Sequence, residues 1–233
     1  MSKRFYKKVE VKSDPPGFVV TLDDRVLKTP GKKPLIINPE FRADIVAAEW
    51  RAQGDQIVPQ TMPCTRLLNV ALELTPTRKP ELIQEFLSYL GTDLLCYRTV
   101  NPADLAKRQE KNWQPVLDWA ASVLGIALST TTGLTALTPN PASLNIAQAY
   151  GENLDDIDLT LLLHFTGSLG SAILAIAVME GHIDIRHAFA LSRLDEIYQS
   201  ELWGEDKDAT KRANDIEAEL VAIAKLILIE ENP

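Results

Sequence analysis

Cysteine is scarce in this chain of 233 residues: Cys64 and Cys96 are the whole supply, too few for a disulfide framework. Such sparing use fits a reducing compartment. Basic excess is absent as well. The net charge is -8, which gives no support for a nucleic-acid partner, whose binders carry a basic face. Met1 to Glu10 is charged throughout and lacks the apolar core of a secretory signal, so none is expected. It also lacks the Arg- and Ser-rich character of a transit peptide.

The residues that usually carry chemistry are few or badly spaced. Of three histidines, His182 and His187 stand five apart, on different faces of any helix that held both. His164 sits in an apolar stretch, where a histidine is a hydrogen-bonded core residue far more often than a catalyst. Neither the histidines nor the two distant cysteines make a metal ligand set, so no metal is expected. The nearest approach to a phosphate loop, Thr29-Pro30-Gly31-Lys32, lacks the second glycine and the hydroxyl residue after lysine. No nucleotide and no other cofactor is expected. No G-x-S-x-G elbow occurs: Ser168, near Gly167 and Gly170, lies inside a helical run where a hydroxyl bonds the backbone one turn earlier. The carboxylates are numerous, but their spacing selects no acid–base pair. The chain is expected not to be an enzyme. Because catalytic groups assembled in space leave no linear trace, a small hydrolase with such an acid or Ser site stays open.

What is present belongs to a globular protein: 45% apolar and 24% charged residues, enough to bury a sizeable core. Charge is unevenly spread. Residues 1–60 hold 11 Lys/Arg against 8 Asp/Glu, and the stretch from Asp195 to the end holds 11 Asp/Glu against 4 Lys/Arg. An acidic end of this kind either steers a partner or is a solvated helix face.

The longest apolar stretch, Leu161 to Val178, sits at the lower limit for crossing a bilayer. His164, Thr166, Ser168 and Ser171 interrupt it, and its flanks are acidic with no Lys or Arg to set a topology. No membrane span is expected; the stretch is taken as one long buried helix capped by Asp158. A membrane-associated scaffold using it is the second alternative.

The pattern changes near residues 38–60. Before it, Val9 and Val11, Phe18 to Leu22, Val26-Leu27 and Leu35 to Ile37 form short β-prone runs separated by the turns Asp23-Asp24 and Thr29-Pro30-Gly31. Then Asn38-Pro39-Glu40 provides a cap, a proline and an acid, starting a helix expected to run to about Ala52 and stop at Gly54. Ile57 to Pro59 makes a last strand or a connector. Beyond Thr65 the spacing is helical, with starts at Asn101-Pro102, Asn140-Pro141 and Asp184. Pro115 is expected to kink or restart its helix. Asp184 is expected to open one helix reaching Trp203, and a last helix to run from about Asp208 to Ile229. The fold class is therefore α+β: an N-terminal antiparallel β domain with one helix over residues 1–60, then a larger α-helical domain over residues 61–233.

A series of short segments adds to this. They are Lys3-Arg4-Phe5-Tyr6-Lys7, Leu22-Asp23-Asp24-Arg25, Leu27-Lys28-Thr29-Pro30, Glu49-Trp50 with Gln53, and Thr61-Met62-Pro63 after Pro59. Thr92-Asp93-Leu94-Leu95, Gln109, Trp113, Trp119, Thr166-Gly167-Ser168 and Glu196 to Gly204 follow in order. Together they resemble the assembly chaperones of the F-type ATP synthase that act on its α subunit, in bacteria and mitochondria. Asp24 stands where that family usually has Gly, Cys64 where an aliphatic residue is commoner, and Glu73 where Asp is. The resemblance implies a β domain followed by a helical one. It also implies a molecular chaperone that binds free ATP synthase α subunit, needs no nucleotide, and works in the bacterial cytoplasm or, in eukaryotic relatives, the mitochondrial matrix.

Two groups of residues are candidates for that work. Glu49 and Trp50 close the first helix, with the indole expected to pin the domains together, and Met62-Pro63 is expected to fix the crossing between them. Glu196, Gln199 and Trp203 share one face of a predicted helix beside Tyr198, a carboxylate, an amide and an indole suited to docking. Either this face meets the partner, with Glu196 as its functional acid by family analogy, or Tyr198 and Trp203 are core and Gly204 merely ends the helix.

Overall fold

The computed structural model describes residues 2–227. They form two compact units: the chain up to Arg78 with the described residues from Ala222, and Lys79–Val221.

The first unit is built on short antiparallel strands. After β1 (Ser2–Lys3) come β2 (Val9–Asp14) and β3 (Gly17–Leu22), which pair along their full length from Val9 opposite Leu22 to Asp14 opposite Gly17. β3 also pairs with β4 (Arg25–Val26) and β5 (Ile36–Ile37), so it is the central strand. Its β-branched run Val19-Val20-Thr21 is accordingly buried throughout. Asp23 and Asp24 turn the chain between β3 and β4 with φ of 47° and 65°, a conformation that favours glycine. Asp23 is held there by the Lys7 and Lys8 backbone amides, which donate to its carboxylate at 3.1 and 2.8 Å.

Helix α1 (Glu40–Arg51) packs on β2 and β3 through Ala43, Val46 and Ala47, spaced three and four apart and fully buried. Val46, the largest of the three, contributes on the order of 2 kcal/mol by its burial. The expected N-cap, Asn38, does not cap: its side-chain amide donates instead to the Pro16 carbonyl at 3.1 Å, and Pro39 occupies the cap position. β6 (Gln56–Ile57) closes on β1, and α2 (Pro63–Glu73) follows. The described end of the chain returns here. The buried Arg42 donates from Nε to the Leu226 carbonyl at 2.8 Å, and Cys64 Sγ donates to the Ala222 carbonyl at 3.3 Å.

The second unit takes up most of α3 (Thr75–Leu90), then α4 (Ala103–Trp119), α5 (Pro141–Asn153), α6 (Asp156–Leu169), α7 (Ala172–Met179), α8 (Ile185–Ser192) and α9 (Leu194–Trp203), and α10 (Lys207–Ala224) up to Val221. Asn140 caps α5 and Asp184 caps α8 through their side chains, as expected. α7 is the centre: Ala172 to Ala177 are fully buried, against α4, α6 and α8.

Four further expectations are corrected. The long apolar helix is two helices. Gly170 adopts φ 67°, and Ser171 caps α7 by accepting from the Leu174 amide at 3.0 Å. The cap of α6 is Asp155, not Asp158: its carboxylate accepts from the Asp158 amide at 2.7 Å. The helix opened by Asp184 is interrupted at Arg193, whose φ of -109° and ψ of 15° leave the helical region. Of the two alternatives for Pro115, the restart does not occur: it lies within the continuous α4. The last helix, expected to reach Ile229, ends at Ala224, where the Leu226 and Ile227 amides donate to the Ile223 and Ala224 carbonyls in a tighter turn; residue 229 itself lies outside the described residues.

The Thr92-Asp93-Leu94-Leu95 segment has a structural role. Asp93 is fully buried, and its carboxylate accepts from the Leu95 amide at 3.0 Å and the Ile173 amide at 3.1 Å. It thus ties the turn Leu94–Cys96 to the first turn of α7. Burial pushes its carboxyl up to about 6, against hydrogen bonds that favour the anion.

Candidate docking face

α4 carries a ladder of polar groups that meets α8 and α9 rung by rung. Trp113 Nε1 donates to the Leu191 carbonyl at 2.9 Å. The Gln109 amide donates to both oxygens of Asp195 at 2.9 and 3.2 Å, and its own oxygen accepts from the Thr99 backbone amide at 2.8 Å. Tyr198 donates from its hydroxyl to Asp104 at 2.7 Å. Arg108 pairs with both oxygens of Glu201, at 2.9 and 2.7 Å, with its guanidinium 5.2 Å from the Tyr198 ring centre.

The sequence spacing makes this possible. Asp104, Arg108 and Gln109, then Trp113, recur at four- and five-residue steps on α4, and Leu191, Asp195, Tyr198 and Glu201 recur at three to four. The electrostatics follow the contacts. The Tyr198 hydroxyl lowers the Asp104 carboxyl below its ordinary value, and the shared hydrogen bond raises the phenol. The Arg108 guanidinium likewise lowers Glu201.

With one side of α9 held in this way, the opposite side is free. Glu196 and Gln199 are exposed, and Trp203 is 78% exposed, with Leu202 beside it at 55% and Ile197 at 44%. Glu196 sits in the first turn, where an acid is favoured by the helix dipole, and pairs with Arg193 at 3.1 Å. Gly204, at φ 90°, ends the helix directly after the indole. Tyr198 faces the other way, 5% exposed. The structure therefore brings Glu196, Gln199 and Trp203 to one surface and assigns Tyr198 to the support beneath it. Asp104, Arg108, Asp195 and Glu201 were missed as members of this arrangement. Only the four-residue step between Asp104 and Arg108 hinted at a polar face on α4.

The other candidate residues lie in the first unit. Glu49 accepts from the Cys64 and Thr65 amides, both at 2.8 Å, and from the Thr65 hydroxyl at 2.6 Å. It is the anion at the N-terminus of α2, whose first residue is Pro63. Trp50 lies edge-on to Tyr6, ring centres 5.6 Å apart, and its carbonyl accepts from the Tyr6 hydroxyl at 2.7 Å. Met62 is buried. Gln53 donates to the Glu49 carbonyl and accepts from the Val58 amide, closing the turn after α1.

Among the described residues no group of three or more His, Cys, Asp or Glu could hold a metal ion. No described helix is long and apolar enough to cross a membrane. Both cysteines are buried, and burial raises their thiols, Cys96 to about 12.

Comparison with known proteins gives one answer at three levels. The family described as ATP12 chaperone protein matches residues 3–121. Protein atp12, mitochondrial, of Schizosaccharomyces pombe is 26% identical over 225 residues, covering 91% of this chain and 77% of its own length. Atp12 from Paracoccus denitrificans has a crystal structure that is 37% identical, covers 96% of both chains and superimposes with a TM-score of 0.91. The Atu1473 protein, a putative chaperone from Agrobacterium tumefaciens, is 35% identical over 97% of this chain and 85% of its own, with a TM-score of 0.92. The α+β architecture agrees with this, and the chain belongs to the ATP12 chaperone family.

Proposed function

We propose that this protein is a molecular chaperone that binds the free α subunit of ATP synthase and supports assembly of the catalytic sector, through the outer face of α9. Membership of the ATP12 chaperone family supports the general role. The observation that carries the site is the exposure of Trp203, 78% open beside Leu202 and within two turns of Glu196. A tryptophan left in water at the end of a well-anchored helix wastes the largest apolar side chain, and such anchors ringed by polar groups dominate interfaces.

The work is holding rather than catalysis. A free subunit exposes the surface that its neighbour later covers, and large bare apolar patches associate wrongly. A reversible cover has to outcompete aggregation yet yield to the permanent contact, which calls for moderate affinity and no nucleotide. The compartment in this reading is the bacterial cytoplasm. Affinity capture with the full chain from its native host tests it: free α subunit is expected on the chain. Recovery of the chain as a stoichiometric component of purified, active ATP synthase refutes it.

A further inference from the structure

Between α4 and α5 the chain runs through Thr130-Thr131-Thr132-Gly133-Leu134-Thr135-Ala136, a loop of hydroxyl and small residues with one large apolar side chain, Leu134. Both feet of the loop are fastened to the segment before α4. Thr131 donates from its amide to the Cys96 carbonyl and accepts from the Arg98 amide, both at 2.8 Å. Leu137 donates to the Gly91 carbonyl at 3.0 Å, and the Tyr97 hydroxyl donates to the same carbonyl at 2.9 Å. The Gly133 amide donates to Thr131 Oγ1 at 3.0 Å and turns the chain just before Leu134, which is fully exposed. Single exposed leucines are common on protein surfaces. This one is held out in water at the tip of a loop pinned at both ends, the build of a functional surface loop.

The foot of the loop leads to α9 in two steps. Arg98 is followed by Thr99, whose amide donates to the Gln109 side chain, and the Gln109 amide donates in turn to Asp195 of α9. Asp195 and Leu202 are seven apart, two helical turns, and so share the flank of α9 that meets this chain of bonds. Val100, directly after Thr99, is exposed, as are Leu202 and Trp203. We propose that Trp203, Leu202, Val100 and Leu134 form one continuous docking surface, and that the polypeptide seated on α9 also covers Val100 and takes Leu134 into an apolar pocket of its own. The Thr99–Gln109–Asp195 bonds beneath hold the two ends of that surface in a fixed relation, so the partner meets both without first ordering either. This deepens the docking reading and rests on it for the partner.

The test uses the full chain and purified free α subunit, with a photoreactive benzophenone side chain placed in turn at three exposed positions. Gln199 reports on α9, Thr135 on the loop tip, and Ser122 on the turn after α4, beside the exposed Val123. Adducts with the α subunit are expected from the first two and not from Ser122. Leu134→Ser is expected to bind the α subunit about tenfold more weakly while keeping its melting temperature. An adduct at Gln199 without one at Thr135, an adduct at Ser122 as strong as that at Thr135, or unchanged binding by Leu134→Ser overturns the inference and leaves the α9 reading standing. An adduct at Thr135 alone, or at neither position, overturns the α9 reading and the inference with it.

Discussion

Gln109 and Asp195 stand 86 positions apart, yet the Gln109 amide donates to both oxygens of the Asp195 carboxylate, at 2.9 and 3.2 Å. The glutamine is 1% exposed, and its own oxygen is occupied by the Thr99 amide. Donor and acceptor are thus both spent, and α4 and α9 meet in a single register.

Gln109→Glu therefore places a buried carboxylate against the half-buried Asp195 carboxylate. The expected cost is at least about 3 kcal/mol of stability, since an unpaired charge is buried and a like charge faces it. Urea unfolding measures it. Adding Asp195→Asn to Gln109→Glu restores a donor opposite the acceptor and is expected to recover much of the loss. A Gln109→Glu chain as stable as the parent shows that α9 is not held by this contact.

The same pair shows where the sequence stops informing. Gln109 and Trp113 were visible as parts of a motif series, and the Glu196–Gly204 segment as another, but nothing linear says that the two segments touch. Local signals were readable where the chemistry is local: Asn140 and Asp184 cap the helices they precede, and Gly204 ends α9. The break at Gly170-Ser171 was hidden because apolar residues continue on both sides of it. Burial in α7 is so complete that no periodicity marks a new helix. Asn38 misled because its side chain has a distant partner, the Pro16 carbonyl, that competes with the cap.

Glu49 is expected to matter for stability. Its carboxylate collects three hydrogen bonds from Cys64 and Thr65 at the start of α2. Glu49→Ala leaves two backbone donors and a hydroxyl without their acceptor and is expected to cost about 2 kcal/mol. Glu49→Gln keeps one acceptor oxygen and is expected to lose less. Thermal melting of the two variants orders them, and equal melting of Glu49→Ala and the parent contradicts the role.

Asp93 predicts a pH dependence. Its folded-state value of about 6 lies above the ordinary 3.8, so the folded chain binds this proton more tightly than the unfolded chain does. Its contribution is full below 3.8 and is lost as pH rises through about 6. The stability of the parent relative to Asp93→Asn is expected to improve on acidification from pH 7 toward pH 5, with a slope approaching about 1.4 kcal/mol per unit below the folded value. Urea midpoints of both chains across that range measure it. A flat difference, or one that grows toward pH 7, means that the Leu95 and Ile173 amides hold the carboxylate ionised.

The docking face separates binding from stability. Trp203 and Glu196 are exposed, so Trp203→Ala and Glu196→Ala are expected to change stability by no more than about 0.5 kcal/mol. Loss of an aromatic anchor at an interface costs about 2–4 kcal/mol of binding, so Trp203→Ala is expected to weaken α-subunit binding by a factor of about 30 or more. Glu196→Ala removes an acid that would meet a donor on the partner, with an expected cost on the order of 2–5 kcal/mol where that donor becomes buried. Tyr198→Phe is the control. It keeps the buried ring and loses the hydrogen bond to Asp104, so about 1 kcal/mol of stability goes and binding stays. Each variant is measured twice, by a melting curve and by capture of purified α subunit. Normal capture by Trp203→Ala shows that the partner sits elsewhere, and early melting of Glu196→Ala shows that its pair with Arg193 is structural.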